Sequence, residues 1–114
     1  MIIKKITSKQ DGLNLEIAIM ECKNPKGVVQ FSHGMAEHKE RYFDFMRYLN
    51  DRGYVCVIHD HRGHGSSVKS KNDYGYFYTE NADYIVEDLF QVTEYVREMY
   101  PGLEITLFSH SMGT

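Results

Sequence analysis

Hydrophobic and polar positions at the start of the chain alternate as they do in strands. Residues 2–8 and 13–21 fit two strands, and the Asp-Gly pair at the end of Gln10–Gly12 favours a tight hairpin turn between them. A strand with one buried face has apolar residues at every second position. The second segment has this pattern at Leu13, Leu15, Ile17 and Ile19.

Two later segments, residues 41–53 and 81–102, place apolar residues at the spacing of helices packed on one side. Gly53 fits the C-terminal cap of the first helix, and Asn81 and Pro101-Gly102 fit the start and end of the second. The predicted buried stripes are Tyr42, Phe45, Met46 and Leu49 in the first helix, and Ala82, Ile85, Val86, Leu89, Val92, Val96 and Met99 in the second.

Three further apolar runs, at residues 27–34, 54–60 and 103–111, complete the pattern. The middle run is almost continuously apolar, which is typical of a strand covered on both faces in a parallel sheet. The predicted order is therefore β-β-β-α-β-α-β. This order indicates an α/β fold in one domain over residues 1–114, with a mostly parallel sheet and an antiparallel N-terminal hairpin.

Composition narrows the class of protein. The 114 residues are 42% hydrophobic and 25% charged, which is ordinary for a globular domain. A net charge of −3 without a basic run gives no footprint for nucleic acid. No signal peptide, membrane-spanning run or disulfide framework is evident, and Cys22 and Cys56 are the two cysteines. We therefore expect a cytoplasmic protein.

The last strand runs into the sequence SHSMG, residues 109–113. A serine on a sharp strand-to-helix turn exposes its oxygen, and the next N–H can donate to a developing oxyanion. Ser109 and Gly113 are the small residues that such a turn needs, although glycine is more usual than Ser109. Ser111 is thus a candidate nucleophile. The alternative interpretation is a serine in an ordinary β-α turn or at an N-cap.

Two other motifs follow strands. In HGMAEHKERY, residues 33–42, Gly34 permits close backbone approach, and His33 and Glu37 could simply hold a loop in place. In HDHRGHGSS, residues 59–67, three histidines suggest a metal site. The histidine run of metallo-β-lactamase-like hydrolases has an Asp where Gly63 stands. A metal-dependent hydrolase using His59, His61 and His64 therefore remains an alternative.

Together the three motifs resemble the α/β-hydrolase superfamily, and more narrowly its monoacylglycerol lipase and lysophospholipase-like branch, which includes serine aminopeptidase-like relatives. The resemblance implies a carboxylic ester hydrolase without metal or cofactor, acting on small ester or lysolipid-like substrates. Ser111 would be the nucleophile, and the N–H groups of Met35 and Met112 would form the oxyanion hole. Supporting positions are His33, Gly34, Glu37, His110 and Gly113. The loop of Asp60, Arg62, Gly63, Gly65 and Ser67 would brace the floor of the site.

The same resemblance predicts what these residues do not supply. In this fold an Asp or Glu and then a His follow the nucleophile along the chain, whereas only Met112, Gly113 and Thr114 follow Ser111 here. We therefore expect the N-terminal part of one domain, inactive alone. Leu107 and Phe108 would lie on an open strand edge, through which self-association is expected. A non-catalytic scaffold is a further alternative.

Overall fold

The computed structural model describes residues 1–34, 38–68 and 83–109. Five strands and two helices form there, and a short 3-10 turn, Lys39–Tyr42, leads into the first helix. The strands are β1 (Ile2–Thr7), β2 (Asn14–Met20), β3 (Gly27–Ser32), β4 (Tyr54–His59) and β5 (Ile105–Ser109). The helices are α1 (Phe43–Asn50) and α2 (Asp83–Met99).

The strands form one mixed sheet in the order β1-β2-β4-β3-β5. The pairs β1–β2 and β2–β4 are antiparallel, whereas β4–β3 and β3–β5 are parallel. The predicted α/β class and antiparallel N-terminal hairpin are confirmed. The hairpin connection, residues 8–13, is longer than the tight turn predicted, although Gly12 does adopt the positive φ (+79°) that favours glycine.

The two helices cover opposite faces of the sheet, because side chains alternate along each strand. Val92 and Val96 of α2 pack on one face, against Ile17, Ile19, Val28, Val55 and Val57. Met46 of α1 packs on the other face, against Ala18, Met20, Phe31, Cys56 and Ile58. The middle strand β4 is buried on both faces, as its continuous apolar run predicts.

The predicted burial of residues in the two helices is only partly confirmed. Met46, Val92 and Val96 are fully buried, but Phe45 is 41% exposed and Val86 is 48% exposed. Ala82 and Asn81 lie outside the described residues. Gly53 follows α1 with φ +98°, and its N–H donates to the carbonyl of Asn50, so the predicted helix end is confirmed.

Among the described residues, β5 is the edge strand of the sheet beyond β3. Leu107 is 49% exposed and Phe108 is 42% exposed, on opposite faces of this strand. The expected apolar flank is therefore present, while self-association through it stays a prediction. Neither described helix has the length and apolar character needed to cross a membrane.

Candidate active site

The chain changes direction within the sheet between β3 and β5. From β3 it crosses through α1 to β4 on one side, and from β4 it returns through α2 to β5 on the other side. Crevices for ligands form at the carboxyl ends of parallel strands where the order reverses in this way. The end residues of the two strands, Ser32 and Ser109, are register partners. The candidate site therefore lies beyond Ser32 and Ser109.

The two residues that follow β3, His33 and Gly34, are buried. The His33 ring joins two loops. Its Nδ1 donates to the carbonyl of Gly34 at 2.9 Å, and its Nε2 accepts from the backbone N–H of His61 at 2.9 Å. An imidazole that donates at one nitrogen and accepts at the other is neutral. Through these two bonds the His33 ring links the residue that follows it to the loop after β4.

Four imidazole rings pack together near the carboxyl ends of β3 and β4; they belong to His33, His59, His61 and His64. The ring of His33 lies 4.5 Å from that of His61 and 5.4 Å from that of His64, and His59 lies 4.9 Å from His61, measured between centroids. Burial, together with the neighbouring imidazoles, lowers the pKa of His59 to about 3 and that of His61 to about 2. Both rings are therefore neutral across the physiological pH range.

The histidine run does not form a metal centre in the described part of the chain. His61 Nε2 pairs with the Ser32 hydroxyl at 2.8 Å, and His64 Nδ1 donates to the Arg62 carbonyl at 3.0 Å. Over the same residues, a group of convergent ligand atoms occurs only at Glu16, Glu40 and Asp60. The geometry therefore gives the metal-dependent alternative no support at His59, His61 and His64.

The loop after β4 is organised around the buried carboxylate of Asp60. One oxygen accepts the N–H of Lys39 at 2.7 Å, and the other accepts the N–H of Ser66 at 3.0 Å. Gly65 has φ +51°, and a Cβ there would lie 2.3 Å from the Asp60 carboxyl carbon. Gly65 is therefore required both by its backbone angle and by the space that Asp60 occupies. This packing explains the spacing of Asp60 and Gly65 in the motif.

The same loop is fastened to β2 and to α2. The Ser67 hydroxyl accepts the backbone N–H of Glu16 on β2 at 2.9 Å. The buried Arg62 guanidinium binds Asp88 of α2 through Nε at 2.7 Å and Asp11 of the hairpin loop through Nη1 at 2.8 Å. Arg62 belongs to a motif that is visible in the sequence, whereas Asp88 was not predicted, because a lone acidic residue in a helix gives no signal of burial.

Lys39 is a second buried charged residue that the sequence did not predict. Its side chain is fully buried, and its ammonium contacts Asp60 at 2.8 Å, Glu40 at 2.9 Å and Glu16. Burial alone would lower the pKa of Lys39, but hydrogen bonds to these three carboxylates raise it above its ordinary value. The ammonium therefore occupies the centre of the acidic group named above.

Most of the predicted catalytic positions lie outside the described residues. These are Met35, Glu37, His110, Ser111, Met112 and Gly113. Of the predicted site, the structure describes His33, Gly34 and the loop from Asp60 to Ser67. It brings these together at the carboxyl edge of β3 and β4.

A mixed sheet that begins with an antiparallel hairpin, carries helices on both faces and reverses its strand order at a parallel edge defines the α/β-hydrolase fold. A thermostable carboxyl esterase from Bacillus coagulans, crystallised with glycerol, shares this fold. It aligns with 98% of the chain at a TM-score of 0.89 and 30% sequence identity. A monoglyceride lipase from Saccharomyces cerevisiae also shares the fold, with a TM-score of 0.81 over 99% of the chain and 23% identity.

Residues 23–114 match the serine aminopeptidase S33 family, and the chain belongs to this family of hydrolases. A monoglyceride lipase homolog of monkeypox virus is 35% identical over 88% of the chain, and human monoglyceride lipase is 35% identical over 78% of it. The aligned part covers 37% of the viral protein and 28% of the human protein. The chain thus spans roughly a third of the length of these relatives.

Proposed function

We propose that these residues supply the nucleophile and the oxyanion hole of a serine hydrolase that cleaves carboxylic esters of the monoacylglycerol or lysophospholipid kind. Ser111 attacks the ester carbonyl carbon, and the N–H groups of Met35 and Met112 stabilise the oxyanion that forms. A histidine general base, which in this fold follows the nucleophile along the chain, takes the Ser111 proton and gives it to the alcohol that leaves as the acyl-enzyme forms. Water then hydrolyses the acyl-enzyme, restores the Ser111 hydroxyl and releases the acid. His33, Gly34, Glu37, His110 and Gly113 support the two turns that carry these groups.

The register of β3 and β5 is the observation that carries this proposal. Ser32 and Ser109 are partners on adjacent parallel strands, which lie about 4.8 Å apart. Met35 comes three residues after Ser32, and Ser111 comes two residues after Ser109. A nucleophile and an oxyanion donor that follow neighbouring strand ends can serve the same carbonyl group.

The relatives support the choice of substrate class. The viral and human relatives are named as monoglyceride lipases, and the Bacillus coagulans relative is a carboxyl esterase. All three names denote enzymes that cleave carboxylic esters. We place the protein in the cytoplasm, since Cys22 and Cys56 are both free thiols.

A fluorophosphonate probe tests the nucleophile in the longest form of the protein that its gene encodes. We expect one covalent adduct, mapped to Ser111 by mass spectrometry and lost in Ser111→Ala. Ser109→Ala serves as the matched control, because it alters a neighbouring hydroxyl and should keep the adduct. An adduct at another residue would assign the nucleophile to that residue, and no labelling of a folded protein would favour a non-catalytic scaffold.

The isolated 114-residue chain is expected to hydrolyse p-nitrophenyl butyrate no faster than buffer. No Asp or His follows Ser111 within these residues, and a serine without its general base is a poor nucleophile. Release of p-nitrophenol measures the rate. Turnover that disappears in Ser111→Ala would show that one of the histidines present acts as the base.

A further inference from the structure

The loop that follows β3 is tied on both sides to consecutive residues after β4. Before residues 35–37, the ring of His33 accepts the backbone N–H of His61 at 2.9 Å. After them, the backbone N–H of Lys39 donates to the carboxylate of Asp60 at 2.7 Å. Asp60 and His61 therefore determine where the loop leaves the sheet and where it returns.

The second of these links, the hydrogen bond from the Lys39 N–H to Asp60, lies beside a group of one ammonium and three carboxylates. The carboxylates of Glu16, Glu40 and Asp60 have oxygen atoms within 4.8 Å of one another, and the Lys39 ammonium contacts all three. The side chains of Lys39 and Asp60 are both fully buried. Without the ammonium, the fully buried Asp60 carboxylate would lose its counter-charge and would face the negative charges of the part-buried Glu16 and the exposed Glu40, which disfavours its observed position.

We infer that Lys39 is a positioning residue for the proposed reaction: its ammonium holds the Asp60 carboxylate in place, and that carboxylate fixes the return of the loop after β3. Lys39 thus supplies both the charge that Asp60 needs and the backbone N–H that Asp60 accepts. The backbone N–H of Met35, the residue after Gly34, is the proposed oxyanion donor whose position would depend on this loop. This catalytic part of the inference rests on the proposed function.

The expected size of the effect follows from the geometry of oxyanion stabilisation. A donor must lie about 2.7–3.1 Å from the oxyanion, and loss of one donor costs about 10²–10³-fold in kcat. A misplaced loop removes this transition-state contact while leaving contacts to the rest of the substrate unchanged. A positioning role therefore lowers kcat and leaves KM nearly constant.

Amide hydrogen exchange of the 114-residue chain tests the structural part without any assumption about activity. In Lys39→Met, we expect the amides of residue 39 and Ser66, which both donate to Asp60, to exchange at least tenfold faster. Amides of β4 report the loss of global stability that an unpartnered Asp60 also causes, so the increase at residue 39 and Ser66 is measured relative to theirs. Arg47→Met is the matched control, because Arg47 forms an exposed ion pair with Asp44. Exchange at these two amides that rises by no more than exchange in β4 would overturn the inference.

Two companion variants guard against loss of folding. Lys39→Met combined with Glu16→Gln removes one of the facing carboxylates and should restore stability without restoring slow exchange at residue 39. Lys39→Arg keeps the charge with a larger group, and we expect exchange between those of the wild type and Lys39→Met. Exchange in Lys39→Arg as fast as in Lys39→Met would contradict the role assigned to the charge.

Ester hydrolysis by the longest encoded form tests the catalytic part. We expect Lys39→Met to lower kcat about 10²-fold with little change in KM, and Lys39→Arg to recover part of the loss. If the wild type shows no hydrolysis that depends on Ser111, the proposed function fails, while the exchange result still decides the structural role of Lys39. If the wild type is active, and Lys39→Met exchanges faster at residue 39 and Ser66 but keeps the kcat of the wild type, then Lys39 is not a positioning residue for the reaction.

Discussion

Lowering the pH from 7 to 5 is expected to reduce the free energy of unfolding by about 4 kcal/mol. Folding holds the buried rings of His59 and His61 neutral, with pKa values of about 3 and 2. In the unfolded chain both titrate near 6.5, so below that pH the unfolded state binds protons that the folded state does not. The stability is complete above about pH 7 and falls as the pH decreases, by roughly 2 kcal/mol for each histidine down to pH 5.

Urea unfolding of the chain at pH 7, 6 and 5 measures this dependence. His59→Leu removes one of the two titrating groups and should reduce the change between pH 6 and 5 by about half. His38→Gln is the matched control, because His38 is an exposed residue beside Glu40, and its removal should leave the dependence in place. A free energy of unfolding that stays constant from pH 7 to 5 would mean that both rings accept a proton without unfolding, and a change of half the expected size would mean that one of them does.

Replacing Arg62 by methionine is expected to lower the free energy of unfolding by about 3–5 kcal/mol. The substitution leaves the fully buried Asp88 without its guanidinium partner and removes two hydrogen bonds to Asp11. A buried carboxylate that loses its counter-charge bears the full desolvation penalty. Because domains of this kind are stable by about 5–15 kcal/mol, much of the stability would be lost.

Denaturation in urea, followed by circular dichroism, measures this loss. The double variant Arg62→Met with Asp88→Asn should recover part of it, because the unpaired charge is removed together with its partner. Arg47→Met, which breaks the exposed pair with Asp44, should cost less than about 1 kcal/mol. A loss in Arg62→Met as small as that of Arg47→Met would show that water or another group compensates Asp88.

The pattern of apolar residues predicted the elements well, because each strand and helix buries one or two complete faces. It predicted the helix faces less well. On α2 the buried row is Asp88, Val92 and Val96, at intervals of four residues. Val86 precedes this row by two residues, which is about 200° around a helix, and therefore points away from the sheet. The expected burial of Val86 was wrong because the pattern had no means of assigning Asp88 to the core.

The site was predictable where backbone geometry demands a particular residue and unpredictable where buried charges meet. Gly65 and Asp60 belong to a short motif whose spacing follows from their contact, and the sequence alone identified them. The pairing of Lys39 with Asp60 joins residues 21 positions apart. Nothing in the local sequence distinguishes Lys39 from an exposed lysine, since its burial depends on three carboxylates that converge only in the folded sheet.

The position of β4 in the sheet has a consequence for how the chain assembles. β4 is inserted between β2 and β3, although it follows both in the sequence. Until residues 54–59 have been synthesised, the hairpin β1–β2 is the one native strand pair that the described chain can form, and β3 has no native strand neighbour. On the ribosome, the apolar strand β3 therefore lacks native partners until β4 pairs with both β2 and β3. The central part of the sheet forms only at this late step, which joins residues far apart in the sequence.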